Sequence, residues 1–140
     1  MKILIAADGS AYTKRMLAYI AAHDEWLGAQ HQYTVVHVVP AVPARAAGAL
    51  DKELLKSYYD EEAERVFKPV RTFLSKQGVK AEFVAKTGPA VDAVAALATK
   101  GRFELLIMGS RGHGNFVNLV LGSVATRVMA QCETPVLLIR

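Results

Sequence analysis

The sequence predicts an α/β protein, a three-layer α/β/α sandwich built on a five-stranded parallel sheet. Three observations carry this expectation. Short apolar runs alternate with longer segments of helical periodicity through five successive units. The run at 2–7 (KILIAA) is rich in leucine and isoleucine and that at 103–108 (FELLIM) reads as a buried strand. Neither an internal repeat nor a linker divides the 140 residues, so the units belong to one domain spanning 1–140, with helices on both faces of the sheet.

Lys2–Ala7 (KILIAA) is the first strand. Thr13–Gly28 follows as a helix, with Leu17, Ile20, Ala21 and Leu27 at helical spacing, Gly28 as its C-cap and Ser10 as a candidate N-cap. Tyr33–Val39 is the second strand, and Pro40–Gly48 carries no periodic signal and reads as a loop. From Leu50 to Gln77 the positions Leu55, Tyr59, Ala63, Val66, Val70 and Phe73 trace one helical stripe. Pro69 lacks an N–H and crowds the carbonyl four residues earlier, so a kink or break is expected near Arg65–Pro69. Ala81–Lys86 is the third strand. Pro89 opens a helix that runs to Gly101 and buries Val91, Val94, Ala95 and Ala98. Phe103–Met108 is the fourth strand. Ser123 starts the last helix, whose inner face holds Val124, Val128 and Cys132, and Pro135–Ile139 is the fifth strand.

Composition narrows the function classes. With 52% hydrophobic and 21% charged residues the chain is an ordinary globule with a sizeable core. The opening MKILIAADGS has one lysine and an apolar run that ends at Asp8, too short for a signal peptide or a membrane span. The single cysteine, Cys132, can form no internal disulfide and reads as a small apolar residue, and a cytoplasmic setting is expected. The net charge of +4 is scattered and mixed with the cluster Asp60, Glu61, Glu62 and Glu64, so neither nucleic acid nor membrane is an expected partner. His23, His31, His37 and His113 are dispersed and give no zinc spacing.

The segment GSRGHGNFVNLVLGS, Gly109–Ser123, places glycines at Gly109, Gly112 and Gly122 where a buried strand hands over to a helix. Glycine allows positive φ and close approach of a ligand to the main chain, and a helix start offers unpaired N–H groups at a positive dipole end. The segment therefore reads as a phosphate-binding loop, against the plainer alternative that the glycines only make turns. It contains no P-loop lysine, and no G-x-G-x-x-G follows the first strand, which argues against a dinucleotide.

The spacing G-x2-G-x9-G-S resembles that of the universal stress proteins of the ATP-binding type. The resemblance spans nearly the whole chain: KILIAADGS at 2–10, VVHVVP at 35–40, TGPAVDAVAALA at 87–98, MGSRGHG at 108–114 and TPVLLIR at 134–140. It implies a Rossmann-like fold akin to the adenine nucleotide alpha hydrolases, with strand order 3-2-1-4-5. It further implies ATP as ligand, the glycine loop on the triphosphate, Asp8 near the ribose, and backbone near Val38 and Met108 framing the adenine. With their neighbours Ala7, Arg111, His113, Gly114, Ser123 and Val124 these residues make up the expected nucleotide-binding set. A homodimer through the C-terminal strand Thr134–Arg140 is implied as well, with Leu137→Pro expected to weaken it by removing a ladder donor.

Individual residues stay open between two readings. Asp8 either accepts from a ribose or caps the first helix in an Asp8-Gly9-Ser10 turn, and the two are compatible. Arg111 and His113 either contact phosphate or point to solvent. His37, flanked by Val36 and Val38, reads as a satisfied core histidine. No nucleophile elbow or metal motif accompanies Asp8, so no catalytic residue is assigned and magnesium has no site of its own, though it can arrive on the nucleotide. The expected function is an ATP-binding regulatory module with little or no ATPase activity. The alternatives are a slow ATP hydrolase or adenylate-transferring enzyme, and a nucleotide-free interaction domain.

Overall fold

Five parallel strands, β1 (Lys2–Ala6), β2 (Gln32–Val39), β3 (Ala81–Thr87), β4 (Leu105–Gly109) and β5 (Val136–Ile139), form one sheet in the order β3-β2-β1-β4-β5. The computed structural model describes residues 1–114 and 118–140. β1 is central: Ile3 stands opposite Tyr33 of β2 and Leu105 of β4, and Ile3, Leu4 and Ile5 are fully buried. A strand covered on both faces can be apolar at successive positions, and β1 is from Ile3 to Ala6.

Side chains alternate between the two faces. Ile3, Ile5, Val35 and Ile107 pack against Met16, Leu17 and Ile20 of α1 (Ala11–Ala22) and Phe67, Val70 and Leu74 of α4 (Lys52–Lys76), which follows α2 (Asp24–Leu27) and α3 (Ala44–Ala49). Leu4, Val36 and Leu106 pack on the opposite face against Val91, Val94 and Ala98 of α5 (Ala90–Lys100) and Ala125 and Val128 of α6 (Ser123–Gln131). The three layers and the strand order are those expected.

Several local expectations are corrected. The helix expected over Thr13–Gly28 is two helices parted at His23, whose Nδ1 bonds the Tyr19 carbonyl at 2.8 Å while its ring stacks on Tyr19. A side chain that claims a helical carbonyl competes with the ladder. The loop expected at Pro40–Gly48 contains α3, an alanine-rich turn with no buried residue and hence no apolar stripe to reveal it. Pro69 does not break α4, which runs unbroken for 25 residues. Pro69 itself is exposed, so the freed carbonyl reaches water, while buried Ala63, Phe67, Val70 and Leu74 hold both halves of the helix to one core. Those four also show that the buried stripe is turned from the expected one: Leu55, Tyr59, Val66 and Phe73 are only half-buried. On α6 Val128 is buried, but Val124 is 39% exposed because that end of the helix faces a cleft.

Candidate functional site

β1 and β4 are neighbours whose chains leave in opposite directions, β1 into α1 on one face and β4 toward α6 on the other. This is the topological switch point of the sheet, where the diverging connections open a crevice beyond the strand ends. A cavity of about 220 Å³ lies there.

Its floor is set by Asp8, just past the end of β1. Asp8 Oδ1 accepts from Ser10 N–H at 2.9 Å and from the Thr13 hydroxyl at 3.0 Å. Thr13 Oγ1 in turn accepts from the N–H groups of Asp8 and Gly9 at 3.1 and 3.2 Å. Gly9, at φ +78°, supplies the left-handed residue that this tight turn requires. Ser10 caps α1, its side chain accepting from Tyr12 N–H. The local-turn reading of Asp8 therefore holds, and only one of its carboxylate oxygens is used by it.

The glycine loop folds back over Asp8. His113 Nε2 donates to the Asp8 carbonyl at 2.7 Å, tying the loop to the end of β1. None of Gly109, Gly112 and Gly122 has positive φ; close approach is what demands glycine. A Cβ on Gly109 would lie 2.6 Å from Tyr12 Cβ, and one on Gly112 would lie 2.6 Å from Asp8 Oδ2. A Cβ on Gly122 would sit 3.2 Å from Arg111 Cα, where Gly122 N–H bonds the Ser110 carbonyl. Residues 115–117 of the loop lie outside the described ones. α6 then begins at Ser123 after Gly122, with no side chain capping it, and Ser123, Val124 and Ala125 of its first turn line the cleft. Ser123 is the first helical residue, as expected, and Gly122 stands at the cap position.

All twelve residues of the expected set border this one cleft: Ala7, Asp8, Val38, Met108, Gly109, Arg111, Gly112, His113, Gly114, Gly122, Ser123 and Val124. Met108 contributes through its side chain, since its backbone lies in a strand paired on both sides, opposite Ala6 and Leu138. Sequence reasoning missed the apolar wall of Val36, Ala90 and Val94, and also Thr13 and His37. Val94 and Ala90 were visible only as one face of α5, with nothing to say that the face runs past the sheet edge into a crevice. His37 is half-buried, with Nδ1 2.8 Å from the Ala7 carbonyl. The cleft thus has an apolar end between β2, α5 and Met108, and a polar end carrying Asp8, Arg111, His113 and the start of α6. Its volume is below the ~300–1,000 Å³ of sites that engulf a drug-sized ligand, so it suits a flat ring inside and charged groups at the mouth.

A family model described as the universal stress protein family matches residues 1–140. A universal stress protein of Thermus aquaticus is 33% identical, covering 99% of this chain and 97% of the relative. Universal stress protein MJ0531 of Methanocaldococcus jannaschii is 31% identical, covering 99% of this chain and 81% of the relative. Among solved structures, protein MJ0577 superposes with a TM-score of 0.83 at 24% identity, covering 99% of this chain and 94% of that one. The universal stress protein of Archaeoglobus fulgidus in complex with dAMP superposes at 0.69 and 22% identity, covering 100% and 98%. An Arabidopsis thaliana family protein with AMP bound does so at 0.69 and 16%, covering 99% and 90%. At these identities the solved structures establish the shared fold.

Proposed function

The chain belongs to the universal stress protein family, and from that membership and the form of the cleft we propose that it binds an adenine nucleotide, ATP above all, as a regulatory module. The observation that carries the reading is the convergence on one crevice of an apolar slot, an aspartate with a spare carboxylate oxygen, and the uncapped start of α6. Base, ribose and phosphates each find a chemically matched wall. The dAMP and AMP complexes of structurally similar proteins support the same assignment.

In this proposal the adenine lies against Val36, Val38, Val94 and Met108. The ribose hydroxyls donate to Asp8, and the phosphates meet main-chain N–H groups from Gly112 to Gly114 and from Ser123 to Ala125, with Arg111 and His113 nearby. Mg²⁺ enters as a companion of the phosphates. Asp8 is held by two local donors and is assigned to binding, which leaves the cleft without a positioned base, so turnover is slow or nil. The protein acts in the cytoplasm as a homodimer, with no nucleic-acid or membrane partner. The edge strand β5 supports the dimer: Val136, Leu137 and Leu138 are half-buried, and among the described residues the outer side of β5 has no strand beside it in the sheet.

Mass analysis of nucleotide that co-purifies with the protein, followed by calorimetric titration with ATP·Mg²⁺, tests the reading. Asp8→Asn is expected to weaken ATP binding by about 1–3 kcal/mol through loss of a charge-assisted hydrogen bond, with any hydrolysis at saturating ATP unchanged. Normal binding together with a roughly 10²–10⁴-fold loss of a robust hydrolysis rate would instead make Asp8 a general base and the protein an enzyme.

A further inference from the structure

The ladder between β1 and β2 stops one rung early. Ala7 N–H donates to the Val36 carbonyl at 2.9 Å, so parallel register would next give the Ala7 carbonyl to the N–H of Val38. No such bond occurs among the described residues. The Ala7 carbonyl accepts instead from Nδ1 of His37 at 2.8 Å. A carbonyl can only accept, so Nδ1 carries the proton. The His37 ring stands edge-on to Phe67, with centroids 6.3 Å apart, and that contact holds it in place.

The consequence falls on Val38. Main-chain N–H and C=O groups of one strand residue point to the same side, and those of residues two apart point alike. The Val36 carbonyl points to β1, so both groups of Val38 point that way too, at a level where β1 has ended and the cleft begins. Val39 turns to the other side, its carbonyl accepting from Gly88 N–H at 3.0 Å.

We propose that His37 is a positioning residue that sets base specificity: by engaging the Ala7 carbonyl it keeps the Val38 N–H unpaired in the cleft, a donor beside the Val38 C=O, whose own ladder donor, the Gly9 N–H, is turned to Thr13 Oγ1 at 3.2 Å. The inference rests on the nucleotide reading above and adds to it what selects the base. Adenine presents an acceptor at N1 next to a donor at its 6-amino group, which match that pair. Guanine presents a donor at N1 and an acceptor at O6, so in an orientation fixed by the ribose at Asp8 both contacts become repulsive. His37→Leu would release the Ala7 carbonyl to the Val38 N–H, close the missing rung and withdraw the donor of the pair.

The test is hydrogen exchange at the Val38 amide combined with ATP and GTP titrations of the wild type and of His37→Leu. In the nucleotide-free wild type the Val38 amide exchanges fast, and ATP protects it. In His37→Leu it is protected without nucleotide, on the order of 100-fold, while ATP binds roughly tenfold more weakly and the preference over GTP shrinks. Loss of packing alone would weaken ATP and GTP equally and leave the Val38 amide fast. That result, or unchanged ATP affinity and selectivity in the variant, overturns the proposal. A Val38 amide already protected in the nucleotide-free wild type overturns it without any variant, so a misfolded His37→Leu does not shield it. If the wild type binds neither nucleotide, the adenine reading and the specificity role fall together, and the exchange contrast still decides whether His37 holds the ladder open.

Discussion

Gly112→Ala adds one methyl at the tightest point between loop and strand. The new Cβ would stand 2.6 Å from Asp8 Oδ2, nearer than side-chain packing permits, and with negative φ at Gly112 the whole effect is steric. Asp8 cannot turn away freely, because Oδ1 holds Ser10 N–H at 2.9 Å and the Thr13 hydroxyl at 3.0 Å. Either those bonds are lost, at about 0.5–1.5 kcal/mol each, or the loop lifts and the His113 bond to the Asp8 carbonyl goes with it. Losing both Asp8 bonds costs about 1–3 kcal/mol. Unfolding entropy near 2.1 cal/mol/K per residue gives about 0.3 kcal/mol/K for this chain, so the melting temperature falls by about 3–10 °C. On the proposed function saturating ATP·Mg²⁺ should raise the melting temperature of the wild type, and that rise should shrink or vanish in the variant, since a ligand stabilises only the form it binds. Gly48→Ala is the control: nothing lies within 4 Å of its Cβ, and it sits on α3, where alanine should add about 0.5–1 kcal/mol. Thermal melts of the three proteins with and without ATP read both effects. A Gly112→Ala protein that melts like the wild type and keeps its full ATP shift would refute the role assigned to close approach.

Three further outcomes are expected. In β5 the N–H of Leu137 points inward to β4, as the bonds from Leu106 N–H to Pro135 and from Ser110 N–H to Ile139 require, so Leu137→Pro damages the monomer and the expectation attached to it is corrected. Leu138 points its N–H outward, and sedimentation should show Leu138→Pro as a folded protein with a weakened dimer; a dimer as tight as the wild type's would place the interface elsewhere. Pro69→Ala restores an N–H in the exposed face of an unbroken α4, and melting should shift upward by several degrees, corresponding to about 1–3 kcal/mol; no change would mean the proline fits without strain. Burial pushes the Tyr33 hydroxyl, which donates to the carbonyls of Leu27 and Gly28, up to about 12. The folded-state value exceeds the ordinary 10, so the stability this group provides is present below pH 10 and lost as pH rises toward 12. Urea melts across that range should show the decline in the wild type and a smaller one in Tyr33→Phe.

Local chemistry wrote much of this protein directly into the chain. Short apolar runs such as Ile3–Ala6 read as strands buried on both faces, and the Val91, Val94, Ala95, Ala98 stripe of α5 could be placed from the sequence, because apolar periodicity is a property of neighbouring residues. The spacing of Gly109, Gly112 and Gly122 marked the crevice for the same reason. What the glycines are for was decided elsewhere: by Tyr12, Asp8 and Arg111, which reach them across the fold and exclude a Cβ. Long-range packing likewise kept α4 whole through Pro69. It also gave His37 its partner: a histidine between two valines is compatible with any core, and only the end of β1, thirty residues earlier in sequence, supplies the Ala7 carbonyl that makes it a determinant of the cleft. Sequence determines which segments seek which environment, whereas a contact between distant segments depends on where each strand ends relative to its neighbour, and that is fixed only when the sheet assembles.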